Sequence, residues 1–313
     1  MYYSLGDDLW KQIIDGKDHK HGKDVYEQGL HGGDAEPGYM NGIISGSEKA
    51  IELLSANDLT IDIYMRIHKI TCSHFQGVAT NTSEQNTPGN FRTKDRCVVE
   101  YLDFKSFGST QEERELMREF WYGGLLAKGI FNPDNGFINA QNPGKVPAVI
   151  DGMHASPFWK DRFGPNRDKA ADIIGRTFNS VEELNKAAKP YGTSFTKIEA
   201  GAIGVTFDNN ADLEKLVREH FEEFTRAIKS AITPKDKLSC IAKLFQGLEW
   251  IHPPADGTTR TDLLIMNVLL CKYGLNPAIL YDPIFATVHT LDQWITHLEQ
   301  GIHAWQTELK GKS

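Results

Sequence analysis

The chain has 313 residues, 40% of them hydrophobic and 24% charged, with a formal net charge of −8 at pH 7. That is enough chain for a full core, and an acidic balance without a long basic run argues against nucleic acid or an anionic membrane as the main partner. No apolar stretch reaches the roughly 20 residues of a membrane-crossing helix, and Met1–Asp8 lacks the basic start and apolar core of a secretory signal. Cys72, Cys97, Cys240 and Cys271 follow no framework spacing and read as reduced, buried thiols of a cytoplasmic protein.

In chain order, residues 1–40 combine a small apolar patch (Leu5, Leu9, Trp10, Ile13, Ile14) with glycine- and histidine-rich sequence. His19, His21 and His31 have metal-binding chemistry, but their Gly/Lys/Asp surroundings favour a solvated loop. A short helix is expected over Ser47–Leu54. A stronger one follows Asn57-Asp58-Leu59-Thr60, with Ile61, Tyr64, Met65, Ile67 and Ile70 at helical spacing. Cys97–Leu102 is β-branched and aromatic, which predicts a strand and half of a hairpin. Glu112–Leu126 reads as a charged-face helix, 131–166 as a proline-rich irregular excursion, and Ser180 as the cap of a short helix. Asp212–Ala231 places Leu213, Val217, Phe221, Phe224 and Ile228 on one stripe; Thr233-Pro234 restarts a helix that runs to His252; Leu291–Leu309 is a last amphipathic helix. The fold class is therefore mainly α, around a buried central helix at about 261–273, with a small β-hairpin near 89–102.

The central helix is the most informative stretch. His252-Pro253-Pro254-Ala255-Asp256-Gly257-Thr258-Thr259-Arg260 is polar and turn-forming, whereas Leu263–Cys271 is apolar almost all round. A helix apolar on every face belongs inside a domain. It should start near Thr259–Asp262 and stop at Gly274. A polar loop mounted on its N-terminus, where free N–H groups and the positive helix end meet, is an anion site suited to phosphate.

This succession resembles the Fic/Doc (Fido) superfamily, whose signature runs His-Pro-Phe, two residues ending in an acid, Gly-Asn-Gly-Arg, two more residues and a second Arg. The chain keeps His252, Pro253, Asp256, Gly257 and Arg260, and departs at Pro254, Thr258, Thr259 and Leu263, the last in place of the second Arg. These departures also resemble the AvrB-like branch. Ile67-His68 is similar to the family's Leu-His helix, and Gly89-Asn90-Phe91-Arg92 to the segment leading into its target-docking flap. The resemblance implies a single Fido-like domain over 1–313, with an N-terminal extension of about 1–45 and an insertion of about 131–204.

It also implies an enzyme, a protein adenylyltransferase-like transferase that moves AMP from ATP to a hydroxyl of a target protein docked at the 89–102 flap. Alternatives are another donor (UDP-, CDP-linked, sugar-nucleotide or phosphocholine) or a non-catalytic partner-binding effector, and such proteins are often bacterial toxins or effectors translocated into host cells. His252 would be the general base, or a helix-terminal histidine bonded to backbone. Asp256 would hold Mg²⁺, or simply form an Asp-Gly turn. Gly257, Thr258 and Thr259 would cradle phosphate. Arg260 would neutralise it, or form a salt bridge at the helix cap. Arg92 would bind donor or flap, or be a surface arginine. His68 reads as a core histidine. The family's second Arg engages the terminal phosphate of ATP, so Leu263 in its place implies a non-ATP donor, an altered donor pose or no transfer at all.

Overall fold

The computed structural model describes residues 2–75, 87–91, 95–100, 131–132, 136–137, 186, 194–197, 202–207, 210–254, 256–289 and 291–311. These are mainly helical. The chain divides into two compact units: Met1–Thr93 with Val217–Ala286 and Leu291–Ser313, and Lys94–Leu216 with Thr287–Thr290.

The first unit contains α1 (Tyr39–Ala56), α2 (Ile61–Thr71), most of α3 (Asn210–Ser230), α4 (Pro234–Ile251), α5 (Thr258–Lys272) and α7 (Leu291–Lys310), with the short α6 (Phe285–Val288) at its margin. The central helix α5 is buried from Thr261 to Leu270 without a break, as an all-round apolar helix must be. Helices α1, α2 and α4 pack on it, and α7 packs on α4. The polar interruption, Asn267, is fully used: its amide donates to the Gln12 carbonyl (3.1 Å) and accepts from Ala278 N–H (2.7 Å). Those bonds hold the N-terminal segment and the chain after α5 against the core. Trp294 of α7 stacks on Phe245 of α4 at 5.1 Å and donates its indole N–H to the Ala242 carbonyl.

Local signals placed most boundaries. Thr60 caps α2 through the Ile63 N–H, and Thr233 with Asp236 forms a capping box that starts α4, with Pro234 in its first turn. Two boundaries differ from expectation. Helix α1 begins at Tyr39 rather than near Ser47, because Gly42 and Gly46 dilute its apolar pattern while letting α2 approach; a Cβ at Gly46 would collide with Thr71. Helix α5 begins at Thr258 rather than 261. Gly257 adopts the left-handed conformation (φ 74°), so the loop turns into the helix one step after it instead of at a hydroxyl cap.

The second unit holds a three-stranded antiparallel sheet in the order β1-β5-β4, formed by β1 (Asp95–Glu100), β4 (Ser194–Lys197) and β5 (Ala202–Phe207). A two-residue ladder pairs β2 (Phe131–Asn132) with β3 (Gly136–Phe137). The strand expected at 97–102 is present two residues earlier, but its described hydrogen-bonded neighbour is β5, with Val98 opposite Gly204, and not adjoining chain. The chain on either side of β1, 92–94 and 101–130, lies outside the described residues, and the expected hairpin is not shown. The expected 131–204 insertion includes β2, β3 and β4. The helices expected at Glu112–Leu126 and at Ser180 lie outside the described residues.

Candidate active site

The six residues between α4 and α5 form the loop on which the site is built. Helix α4 ends at His252, whose N–H closes the last turn on the Leu248 carbonyl at 2.7 Å. Its backbone is left-handed, φ 51° and ψ 62°, and it is the one non-glycine with positive φ among the described residues. Such a conformation costs about 1–3 kcal/mol and persists where the surroundings impose it, most often at functional sites. Pro253 and Pro254 follow, both buried, and stiffen the exit from the turn; the His252 side chain is half-buried.

The loop is held from beneath by α2. Gly89 N–H donates to His68 Nδ1 at 2.9 Å, so the ring proton sits on Nε2, which donates to the Asp256 carbonyl at 2.8 Å. His68 is fully buried. Burial pushes its pKa down to about 4 against the Asp256 carbonyl bond that pulls it up, and the Arg260 charge adds to the lowering. It is a core histidine, and its two bonds tie the 87–91 segment to the loop.

The sign of its pH effect follows. The folded state holds His68 neutral, so its contribution is present above the ordinary histidine value of about 6.5 and is lost as pH falls toward 4. Urea unfolding of the wild type should lose about 3 kcal/mol across that window. A His68→Gln variant, which cannot gain the proton, should lose correspondingly less; parallel curves for the two proteins would contradict the assignment.

The start of α5 is packed closely against the end of α2. Gly257 is buried, and a Cβ there would run into the Sγ of Cys72, the residue that caps α2. The Cys72 thiol points to the Gly257 carbonyl at 3.8 Å, and burial pushes its pKa up to about 12. Thr258 is 1% exposed and its hydroxyl oxygen has no hydrogen-bond partner among the described residues. A buried, unsatisfied hydroxyl beside a helix N-terminus is what a bound oxyanion would complete. Thr259 Oγ1 instead donates inward, to Glu249 Oε2 at 2.7 Å.

Asp256 Oδ1 accepts from Gly257 N–H at 2.6 Å, as an Asp-Gly turn former does, while Oδ2 has no hydrogen bond among the described residues. Among the described residues no group of three or more His, Cys, Asp or Glu side chains could hold a metal ion. A lone carboxylate with one oxygen to spare nevertheless fits Mg²⁺, which is commonly held by one or two carboxylates together with substrate phosphates.

Arg260 is committed to a partner that the sequence did not signal. Its Nη2 donates to Glu36 Oε1 at 2.8 Å, its Nη1 stands 2.6 Å from Glu36 Oε2 in the same ion pair, and the guanidinium lies over Tyr39, 4.9 Å from the ring centre. Tyr39 in turn stacks on Tyr26 at 4.5 Å. Glu36 also faces His74 at 3.6 Å. Burial raises the Glu36 pKa, but the bonds to His74 and Arg260 outweigh it and hold the carboxyl below its ordinary range. The N-terminal segment is thus part of the site's support.

Arg260→Ala should destabilise by about 3–5 kcal/mol, because it strands a buried carboxylate. Arg260→Ala with Glu36→Gln should recover part of that loss. Denaturant midpoints of the two variants decide it, and additive losses would rule out the pairing. Leu263 is 4% exposed and packed in the core, so the position of the signature's second Arg carries a buried apolar side chain. Arg92 lies outside the described residues.

Six of the seven site residues expected from the sequence therefore sit on one short loop and helix start. Glu36, His68, Glu249 and Asp262 are the polar groups around them.

Residues 169–270 match the Fic/DOC family.

The Fic/DOC match takes in α3, α4, the His252 loop and nearly all of α5. The chain is also 25% identical, over 315 aligned positions, to the phosphocholine transferase AnkX of Legionella pneumophila subsp. pneumophila (strain Philadelphia 1). That alignment includes 95% of this chain and 28% of AnkX, so the chain spans little more than a quarter of its relative. Among the described residues no helix is long and apolar enough to cross a membrane.

Proposed function

We propose that this chain is a Fic-type transferase that moves a phosphate-linked group from a nucleotide-linked donor onto a hydroxyl side chain of a target protein. The group proposed is phosphocholine, from a cytidine-diphosphate-linked choline. The observation that carries this reading is the likeness to a phosphocholine transferase along 95% of the chain. Leu263 supports it: an apolar, buried residue replaces the arginine that would engage the terminal phosphate of ATP, whereas a diphosphate donor has no third phosphate to engage.

In this reading His252 accepts the proton of the target hydroxyl. The hydroxyl oxygen then attacks the phosphorus of the transferred group. The bond from that phosphorus to the oxygen bridging to the nucleotide breaks, and the nucleoside monophosphate leaves with the electron pair. The left-handed turn at His252 and the two buried prolines hold the base rigid against the substrate. The N–H groups of Thr258 and Thr259, and the buried Thr258 hydroxyl, receive the phosphate oxygens. Arg260 adds positive charge beside them while it remains on Glu36. Asp256 Oδ2 would hold Mg²⁺, which would neutralise phosphate charge. The proposed setting is cytoplasmic, with the chain or its parent protein acting as an effector on a host target.

The donor is tested by incubating the chain and cell lysate with choline-labelled CDP-choline or with α-labelled ATP, each with and without Mg²⁺. Label from CDP-choline alone is expected on protein. Label from ATP alone would replace phosphocholine with AMP as the transferred group, and label from neither would leave partner binding as the better reading.

A further inference from the structure

The loop is clamped by a second set of buried polar groups that the transfer chemistry does not use. Glu249 stands on α4, three residues before His252, and Asp262 on the first turns of α5, two residues after Arg260. Both are almost fully buried, at 3% and 1% exposure. Asp262 Oδ1 accepts from the Tyr64 hydroxyl of α2 at 2.8 Å, and Glu249 Oε2 accepts from the Thr259 hydroxyl at 2.7 Å. The other Asp262 oxygen, Oδ2, is buried and receives no N–H or O–H donor among the described residues, and the neighbouring Glu249 carboxyl acts on it. Two buried carboxyls that act on each other do not both hold a charge, so one of them is a carboxylic acid.

We propose that Glu249, Asp262 and Thr259 form a proton-carrying clasp that sets the spacing between His252 and the anion-binding start of α5, and that all three are positioning residues. The clasp joins the last turn of α4 to the first turns of α5 on either side of the catalytic loop, and Tyr64 fastens it to α2. It gives Thr259 a purpose at a position where the signature has glycine. Thr259 bonds Glu249 and Asp262 bonds Tyr64, so an unusual motif is braced from within. A buried polar network of this kind stiffens a site only while every member is satisfied, which makes the shared proton essential to it.

The titratable groups acting on Asp262 are Glu249 of α4 and Tyr64 of α2. Burial first, and the Glu249 charge second, push the Asp262 pKa well above its ordinary range. A carboxyl raised on folding stabilises the fold at acid pH and loses that contribution as pH rises through its folded value. Wild type should therefore lose stability relative to Asp262→Asn as pH climbs from the ordinary aspartate range, and the loss should level off above the raised value.

The proposal depends on the proposed transfer reaction only for its activity readout. Infrared difference spectra in D₂O at neutral pH, wild type minus Asp262→Asn, should contain the carbonyl stretch of a protonated carboxyl. Its absence would overturn the shared proton whatever the protein catalyses. The second readout is inorganic pyrophosphate binding by titration calorimetry. Asp262→Asn, whose amide N–H replaces the proton, should bind within about threefold of wild type. Asp262→Leu, of similar size and unable to bond Glu249, should bind roughly 10- to 100-fold more weakly.

Glu249→Gln provides the same test from α4 if Asp262→Leu does not fold. It should behave like Asp262→Asn. Equal pyrophosphate binding by the Asn and Leu variants would overturn the positioning role, as would a Glu249→Gln variant that binds like Asp262→Leu. If the infrared band and the binding order appear while no donor labels protein, the clasp stands and the transfer reading falls.

Discussion

His252→Ala should abolish transfer, with a loss of roughly 10²- to 10⁴-fold or more, while the protein remains folded. His252→Gly should lose activity equally yet gain about 1 kcal/mol of stability, because glycine adopts φ 51° without a Cβ penalty. The pairing of these results is diagnostic. A histidine retained for packing or capping would weaken the fold when removed, whereas a histidine retained for chemistry, in a conformation that strains it, leaves a more stable and inactive protein. Initial transfer rates with urea unfolding of the three proteins measure both sides. A glycine variant less stable than wild type would show that the side chain supports the fold.

Gly257→Ala should produce the largest loss of stability from a single methyl group. The residue has φ 74°, and the added Cβ would be driven into Cys72 Sγ, with His68 Nε2 also 3.5 Å away. The conformation alone costs about 1–3 kcal/mol, and crowding a packed core adds a similar amount, so a loss of roughly 3 kcal/mol or more is expected. Because Cys72 caps the C-terminus of α2, the damage should spread to the His68 bond to Asp256 and weaken pyrophosphate binding. Cys72→Ala in the same protein should relieve the steric part and recover about 1–2 kcal/mol, leaving the conformational part. Urea midpoints of the two single variants and the double variant check this, and no recovery would place the clash elsewhere.

How legible this site was depended on how local its signals were. Helices α2, α4 and α5 were readable because their caps and apolar periods lie within a few residues: Thr60 before α2, Thr233 and Asp236 around Pro234, Leu263–Leu270 in unbroken succession. The loop was readable because five signature positions keep their spacing. The partners of that loop were not. Glu36 meets Arg260 across 224 residues of sequence, and nothing around Asp34-Ala35-Glu36-Pro37 marks it as a buried ion-pair member. Nothing in the sequence around Glu249, Thr259 and Asp262 marks their partners, because the Thr259–Glu249 and Tyr64–Asp262 bonds join separate helices. The strand at Asp95–Glu100 was found from β-propensity, but its described neighbour β5 was hidden, since pairing is a property of two segments and propensity of one.

The clasp and the Glu36–Arg260 pair also change how the departures at Thr258, Thr259 and Leu263 read. A decayed site would leave its polar groups without order. Here Thr259 is bonded to Glu249, Arg260 is paired with Glu36, and Thr258 keeps a buried hydroxyl with no hydrogen-bond partner among the described residues. That order is what the proposed transfer reaction, with a donor other than ATP, would require.

The central claim is that the His252 loop performs group transfer to protein. It is tested most directly by incubating wild type and His252→Ala with choline-labelled CDP-choline, Mg²⁺ and lysate, then counting label in acid-precipitated protein and locating it by peptide mass spectrometry. The account predicts phosphocholine on a hydroxyl side chain with wild type and none with His252→Ala. Equal labelling by both proteins would contradict it.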